Sequence, residues 1–346
     1  MLELFSAELK KLIRLNRLLL IVVLALAVRT ALCLIPSVHE HSYSEEVYRS
    51  YTEELGGELT DDKSEYLNAR LAEIEELIAS YDEMQQRYTG GEIGLDEYFR
   101  YTELHGKAKA EESTVRYLVR KCGALNACTD FKKQLFYDTD WSGLFEDNGF
   151  DIVMLLALLC IAVPSFDCEY SSSSYAQILT SKRGKTPLAL SKLAAVIVVV
   201  FLLSVMMSGA RLGVFAYRNG LDYSDMPVGN VLLTDGFGST TLLGYFLTDA
   251  LLKALVWGMY SVIVCLIAVL CRNVTFAFVI GFIVGLTPKL ISTDTESSGI
   301  FYLISGSALG EMYPATLSLW VFVGVTVIKA ALISIGVVMA WGKKDR

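Results

Sequence analysis

The chain has almost no histidine: three in 346 residues. No H-E-x-x-H occurs, which removes the common zinc-protease arrangement, and no G-x-S-x-G occurs, which removes the nucleophile elbow of the α/β-hydrolases. Gly184-Lys185-Thr186 ends like a phosphate-binding loop. The first glycine of that motif should stand at position 179, which is Leu179, and no strand precedes it, so nucleotide binding by this chain is rejected. His39-Glu40-His41 offers too few ligands for a structural metal site and reads as a solvated linker. No paired catalytic residues stand out elsewhere, so a membrane enzyme is the weakest functional class.

What the chain has is apolar sequence. Hydrophobic residues make up 53% of it, and the mean hydropathy of +0.44 exceeds that of an ordinary soluble domain. Charge is divided unevenly along it. From Ser37 to Gly149 there are 25 acidic and 12 basic residues, which leaves 13 acidic and 18 basic in the remainder. An acidic soluble part joined to a mildly basic membrane part argues against nucleic acid as a partner, because phosphates are neutralised by Lys and Arg.

The apolar runs predict an all-α polytopic membrane protein with six spans: Leu18–Ile35, Phe150–Phe166, one within Leu188–Ala216, Leu252–Cys271, Val274–Ile291 and Leu319–Trp341. Only Arg272 and Asn273 separate the fourth from the fifth. Ahead of the first span, Leu2, Phe5, Leu9, Leu12 and Ile13 recur at helical spacing against Glu8, Lys10, Lys11, Arg14 and Arg17. That is an amphipathic helix suited to a membrane surface. Ala25-Leu26-Ala27 resembles a signal-peptidase site, but the apolar run continues beyond Arg29, which favours an uncleaved anchor. Leu32 before Cys33 is too large for a lipoprotein site. Arg29 is placed to snorkel at the outer end.

With the N-terminus inside, the inner segments carry twelve basic and five acidic residues, and six spans return the C-terminus inside. Arg211 and Arg218 fall outside and count against that orientation. The expected domains are 1–36 (surface helix and first span), 37–149 (an extracytoplasmic insertion) and 150–346 (spans two to six). Within the insertion, Leu67, Leu71, Ile74, Ile78, Tyr81, Gln85 and Tyr88 follow a coiled-coil spacing, Gly90-Gly91 ends that helix, and a second helix is predicted from about Leu95 to Cys122. The two form an antiparallel hairpin, acting either as a spacer or as a stalk that captures a ligand or partner. Cys122 and Cys128 are the only cysteines there, and a bridge between them is possible if Gly123 and Asn126 bend the chain. Thr240–Leu255 reads as a helix running into the fourth span, with Asp249 and Lys253 four apart; it and Ser292–Pro314 are outer segments that could dip back into the membrane. Lys329 is the one charge well inside the last span: either a pathway or switch residue, or one partnered at a helix contact.

The stretch Phe166–Lys192 is long for a loop, acidic at Asp167 and Glu169 and basic at Lys182, Arg183, Lys185 and Lys192. Tyr175, Ile178 and Leu179 share one face of a short helix, an apolar knob suited to a groove on another protein. Glu169 is placed to pair with a basic residue such as Lys192. F-x-x-E, a helix and then I-L-T-S-K-R-G-K-T-P-L-A-L-S-K resemble the cytoplasmic loop of ABC-2 type transporter permeases. Glu169, Ile178-Leu179, Lys185 and Lys192 stand where that family has its acidic residue, its aliphatic pair, its basic residue and the lysine opening the third span. Ser173 stands where members often have glycine, and Pro187 comes later than the usual proline near Lys182.

The resemblance implies a bacterial cell-membrane exporter subunit with no cofactor of its own. A second permease copy or paralogue pairs with it. Separate ATPase subunits, which bind ATP-Mg, dock on a coupling helix near 169–187. The reading of a different class is a signalling or scaffold membrane protein whose outer hairpin senses a ligand. A neighbouring gene for an ATPase with a Walker motif discriminates the two.

Overall fold

The computed structural model describes residues 2–15, 18–35, 42–146, 151–170, 185–235, 238–291 and 319–342. It is an all-α protein whose described β structure is one short ladder and an isolated bridge between Pro227 and Thr241. The chain forms two compact units. The first takes Met1–Pro36, Asp147–Asp222 and Phe246–Arg346. The second takes Ser37–Glu146 and adds Tyr223–Tyr245, which the sequence reading had left with the membrane part.

In the first unit, α1 (Leu2–Leu15) is bent by 64° from α2 (Leu18–Leu34). Glu8 and Leu12, four apart and so on one face, are both buried. α8 (Ile152–Tyr170) is buried along most of its length, from Met154 and Leu155 to Phe166. α9 (Lys185–Asn219) contacts α1, α2, α8 and the last helix. Its 35 residues measure about 52 Å, well beyond the ~30 Å of a hydrocarbon core. Pro187 is tolerated in its first turn, where an N–H would lack an intrahelical acceptor anyway.

α11 (Leu242–Cys271) is one continuous helix, so the helix expected from Thr240 does run on into the fourth apolar run and is not a separate short element. Arg272 takes a left-handed backbone, and the Asn273 side chain accepts from the N–H groups of Thr275 and Phe276 at 2.9 and 3.2 Å, opening α12 (Val274–Ile291) at once. Gly281 and Gly285 let α12 approach α8, since a Cβ at either would meet Leu159 or Leu155. The last helix, α13, runs Leu319–Gly342.

Three described helices, over Thr186–Asn219, Leu242–Cys271 and Trp320–Trp341, are long and apolar enough to cross a membrane, and α1 with α2 makes a fourth if the bent pair is one span. Ile152–Phe166 and Val274–Leu286 are shorter apolar segments. These are the helices of a membrane-embedded protein. The α11 segment is 67% buried and the α13 segment 17%, so α11 is enclosed by the unit while α13 turns Trp320, Ile328, Leu332 and Ile335 outward.

The second unit is built on α3 (Glu45–Glu54), α4 (Asp61–Ala79), α5 (Tyr81–Thr89) and α6 (Leu95–Ala127). α4 and α6 make its main contact. Leu67 and Ile74 are fully buried against Val115, Leu118 and Leu125. Away from the turn at Gly90-Gly91, Tyr88 stacks on Tyr98, the Tyr101 hydroxyl donates to the Leu77 carbonyl, and Arg70 pairs with Glu111. The heptad pattern had suggested one helix through Tyr88. It breaks at Ser80, whose N–H still meets the Glu76 carbonyl at 3.0 Å while its hydroxyl donates to the same carbonyl at 2.7 Å. β1 (Gly57–Glu58) pairs antiparallel with β2 (Gln134–Leu135), and Gly57 takes the positive φ with which β1 begins.

The added segment docks through Asn230, which accepts from the Gln134 N–H at 2.9 Å and donates to the Lys132 carbonyl. Asp235 accepts from the Thr129 N–H at 3.0 Å. α7 (Thr139–Glu146) and α10 (Gly229–Leu232) also touch.

Candidate functional site

The candidate site is the base of the Phe166–Lys192 stretch. Lys192 lies two turns into α9, and only 2% of it is exposed. An ammonium buried to that degree needs partners from other elements. α1 supplies the Glu8 carboxylate, 3.3 Å from the Lys192 Nζ. α8 supplies the Ser165 carbonyl, which accepts at 3.0 Å, and the Phe166 ring, with the ammonium 5.7 Å from its centroid. Phe166 meets Trp341 of α13 edge to face at 5.4 Å between centroids. One lysine thus ties the surface helix to the end of α8 and the start of α9, and Phe166 joins α13 to the same point.

The position of Ser165 has a local cause. Pro164 inside α8 removes an N–H from the helix ladder, a common origin of helix irregularity. The Ser165 hydroxyl donates to the Ala162 carbonyl at 2.6 Å, and the Ser165 carbonyl meets Lys192.

Of the residues expected at the site, Lys192 is described, and the carboxylate beside it is that of Glu8. Glu169 stands in the last turn of α8 and Lys185 opens α9, both with side chains outside the described residues. Tyr175, Ile178 and Leu179 lie outside them as well, as do His39-Glu40-His41 and Ser292–Pro314. Glu8 was missed. Its place among the charges of an amphipathic helix suggested a solvated face, and only its spacing of four from Leu12 hinted that it turns inward. Lys329 is partly buried on α13, beside the exposed Val327 and Ile328.

No family model, curated protein or solved structure matches this chain.

The possible Cys122–Cys128 bridge needs correction. α6 runs unbroken to Ala127, so Gly123 and Asn126 do not bend it. A helical step of six residues rises about 9 Å, beyond the roughly 7 Å Cα limit for a disulfide. Both are buried free thiols. Burial pushes both thiols up from their ordinary range, and for Cys128 the Asp235 carboxylate adds to the shift. Little thiolate is then present for oxidation.

Two ionic groups stand in other places, and of them the sequence shows only the Asp249–Lys253 spacing. In the second unit the Lys121 ammonium donates to Asp138 at 2.6 Å and to the Tyr48 hydroxyl at 2.8 Å, and Tyr48 donates to the other Asp138 oxygen at 2.6 Å. All three are essentially buried. Burial first, then the Asp138 charge, pushes the Tyr48 phenol far up. In the first unit, Arg29 meets Asp151 at 3.5 Å and Lys253 meets Asp249 at 2.9 Å.

Proposed function

We propose that the chain is the membrane subunit of an ATP-driven exporter, similar to the ABC-2 type permeases, with a coupling helix near residues 169–187 as the element on which a separate ATPase subunit docks. In this reading α8, α9, α11, α12, α13 and the α1–α2 pair make the membrane body, with both termini inside. The second unit is an acidic helical insertion outside. ATP-Mg binds in the partner, and this chain hydrolyses nothing.

The observation that carries the reading is the Lys192 tie. An element that transmits force from an ATPase must spring from a base that does not yield. Residues 171–184 link α8 to α9, and those two helices are held to each other and to α1 through Lys192, Ser165, Phe166 and Glu8. Displacement of the docking element then moves several spans together rather than bending a loop. A second copy of the chain, or a paralogue, has the outward apolar face of α13 to pair with, and lipid covers what the partner leaves.

The test is the double variant Tyr175→Ala/Leu179→Ala, in membranes that also contain the ATPase. Loss of a central interface anchor costs more than about 2 kcal/mol, a ~30-fold loss of affinity. ATPase co-purification should fall by about that factor and transport should stop, at normal membrane levels of the variant. Full ATPase recovery with normal transport rejects the docking reading.

A further inference from the structure

The turn between α11 and α12 holds a residue that its backbone does not favour. Arg272 has φ of 54°, in the left-handed region, and its N–H meets the Ala268 carbonyl at 3.2 Å to close α11. Glycine is the ordinary residue at such a helix end, because a Cβ there crowds the backbone. Backbone positions of this kind cluster at ligand-holding and switch sites. Arg272 lines a groove of about 420 Å³ between the last two turns of α11 and the last two turns of α13. That volume is in the range of ligand sites. α13 makes its main described contact with α9 rather than with α11, which leaves this space between them. One wall carries Leu266 and Leu270, the other Gly336 and Met339, and Arg272 is the one polar side chain among the described lining residues. Leu270 and Met339 are more than half exposed. The wall from Leu266 to Arg272 is about 9 Å long at the helical rise, and it leads from the arginine towards the middle of α11. No acidic residue occurs from Ala254 to Thr293, and among the described residues no carboxylate pairs with Arg272.

We infer that this groove holds one phospholipid of net negative charge, with an acyl chain along Leu266, Leu270 and Met339 and its phosphate on the Arg272 guanidinium. The guanidinium presents forked N–H donors that match a phosphate, and basic pockets between membrane helices recruit anionic headgroups. A free phosphate would leave the apolar walls uncovered, so a lipid is the occupant that suits both parts of the site. The inference rests on the membrane character of α11 and α13 and stands whether or not the chain is a permease.

The test takes the purified full-length chain in mixed micelles of neutral detergent with phosphatidylglycerol or, in a parallel sample, with phosphatidylcholine. The lipid that stays after washing is counted by mass spectrometry. The wild type should keep about one phosphatidylglycerol per chain and about tenfold less phosphatidylcholine. Arg272→Gly removes the donors and suits the left-handed backbone, so retention of phosphatidylglycerol should fall about tenfold while the variant folds at least as well without lipid. An arginine that served only the turn would leave retention unchanged. Gly336→Leu fills the groove from a position where a Cβ meets nothing within 4 Å, and it should lower retention with Arg272 intact. Should Gly336→Leu fail to accumulate, Arg272→Gly decides. The proposal is overturned if both lipids are retained alike, as lipid that merely coats the helices would be, or if Arg272→Gly retains as much as the wild type. It is also overturned if the wild type retains neither lipid, the result expected when a second copy or another segment of this chain fills the groove.

Discussion

Lys121 and Lys192 look alike in the sequence, a lysine on a helix among apolar residues, and both are buried with a carboxylate partner. Neither partner was legible from periodicity. Asp138 comes 17 residues after Lys121 and Tyr48 comes 73 before it, so the triad exists only once the second unit has closed. Removing one member of a buried pair strands the other charge. Lys121→Ala should therefore lower stability by about 3–5 kcal/mol, read as a fall in the unfolding midpoint of the full chain. The same argument gives a test of the Lys192 tie. Lys192→Met alone should destabilise the first unit, whereas Lys192→Met with Glu8→Leu removes both charges and should restore most of the loss. If the site works as proposed, the double variant keeps its ATPase but weakens the link between hydrolysis and transport. A double variant no more stable than the single one contradicts the pairing.

The tyrosines of the second unit add a pH dependence at the same scale. Burial is the main cause that pushes the Tyr43 phenol up to about 12, and Tyr48 is pushed further in the same direction. Unfolded tyrosine loses its proton near pH 10. The folded state holds these protons more tightly, so their contribution is complete below about pH 10 and is lost as pH rises towards the folded values. The unfolding midpoint should fall across pH 10–12, and less steeply in Tyr43→Phe. An equal slope in that variant would show that Tyr43 is not part of the effect.

Among the elements, the apolar runs foretold helices well because burial and helix formation leave the same pattern in sequence. Their ends were less legible. Ser80 looked like one more position in a heptad, yet the helix divides there, with the Ser80 hydroxyl on the Glu76 carbonyl and the Tyr101 phenol on the Leu77 carbonyl. Gly123 looked like a bend, yet the buried contacts of Cys122 and Leu125 carry α6 straight through it. The segment 223–245 showed no strong pattern at all. Its attachment depends on Asn230 and Asp235 meeting backbone groups far away in sequence. The straight α6 makes a chemical prediction: alkylation of the non-reduced, unfolded chain followed by mass spectrometry should find Cys122 and Cys128 both as thiols. A linked peptide pair would contradict the continuous helix.

At the scale of the molecule, membrane character was legible from composition, while the docking partner was read from a motif and from the spacing of Tyr175, Ile178 and Leu179. The proposed orientation rests on the twelve basic residues of the segments it places inside. A cysteine placed at Gln86 should react with an impermeant reagent on intact cells, and one placed at Ser172 only after permeabilisation. Labelling of Ser172→Cys on intact cells would reverse the topology. In the function proposed, this chain takes its energy from an ATPase bound at the coupling helix near residues 169–187. The most direct measurement is gentle purification of the wild-type chain from its native membrane, with identification of what accompanies it. The account predicts a Walker-motif ATPase in comparable molar amount, released when Tyr175 and Leu179 are truncated. A chain that is intact, abundant and free of any ATPase would contradict it.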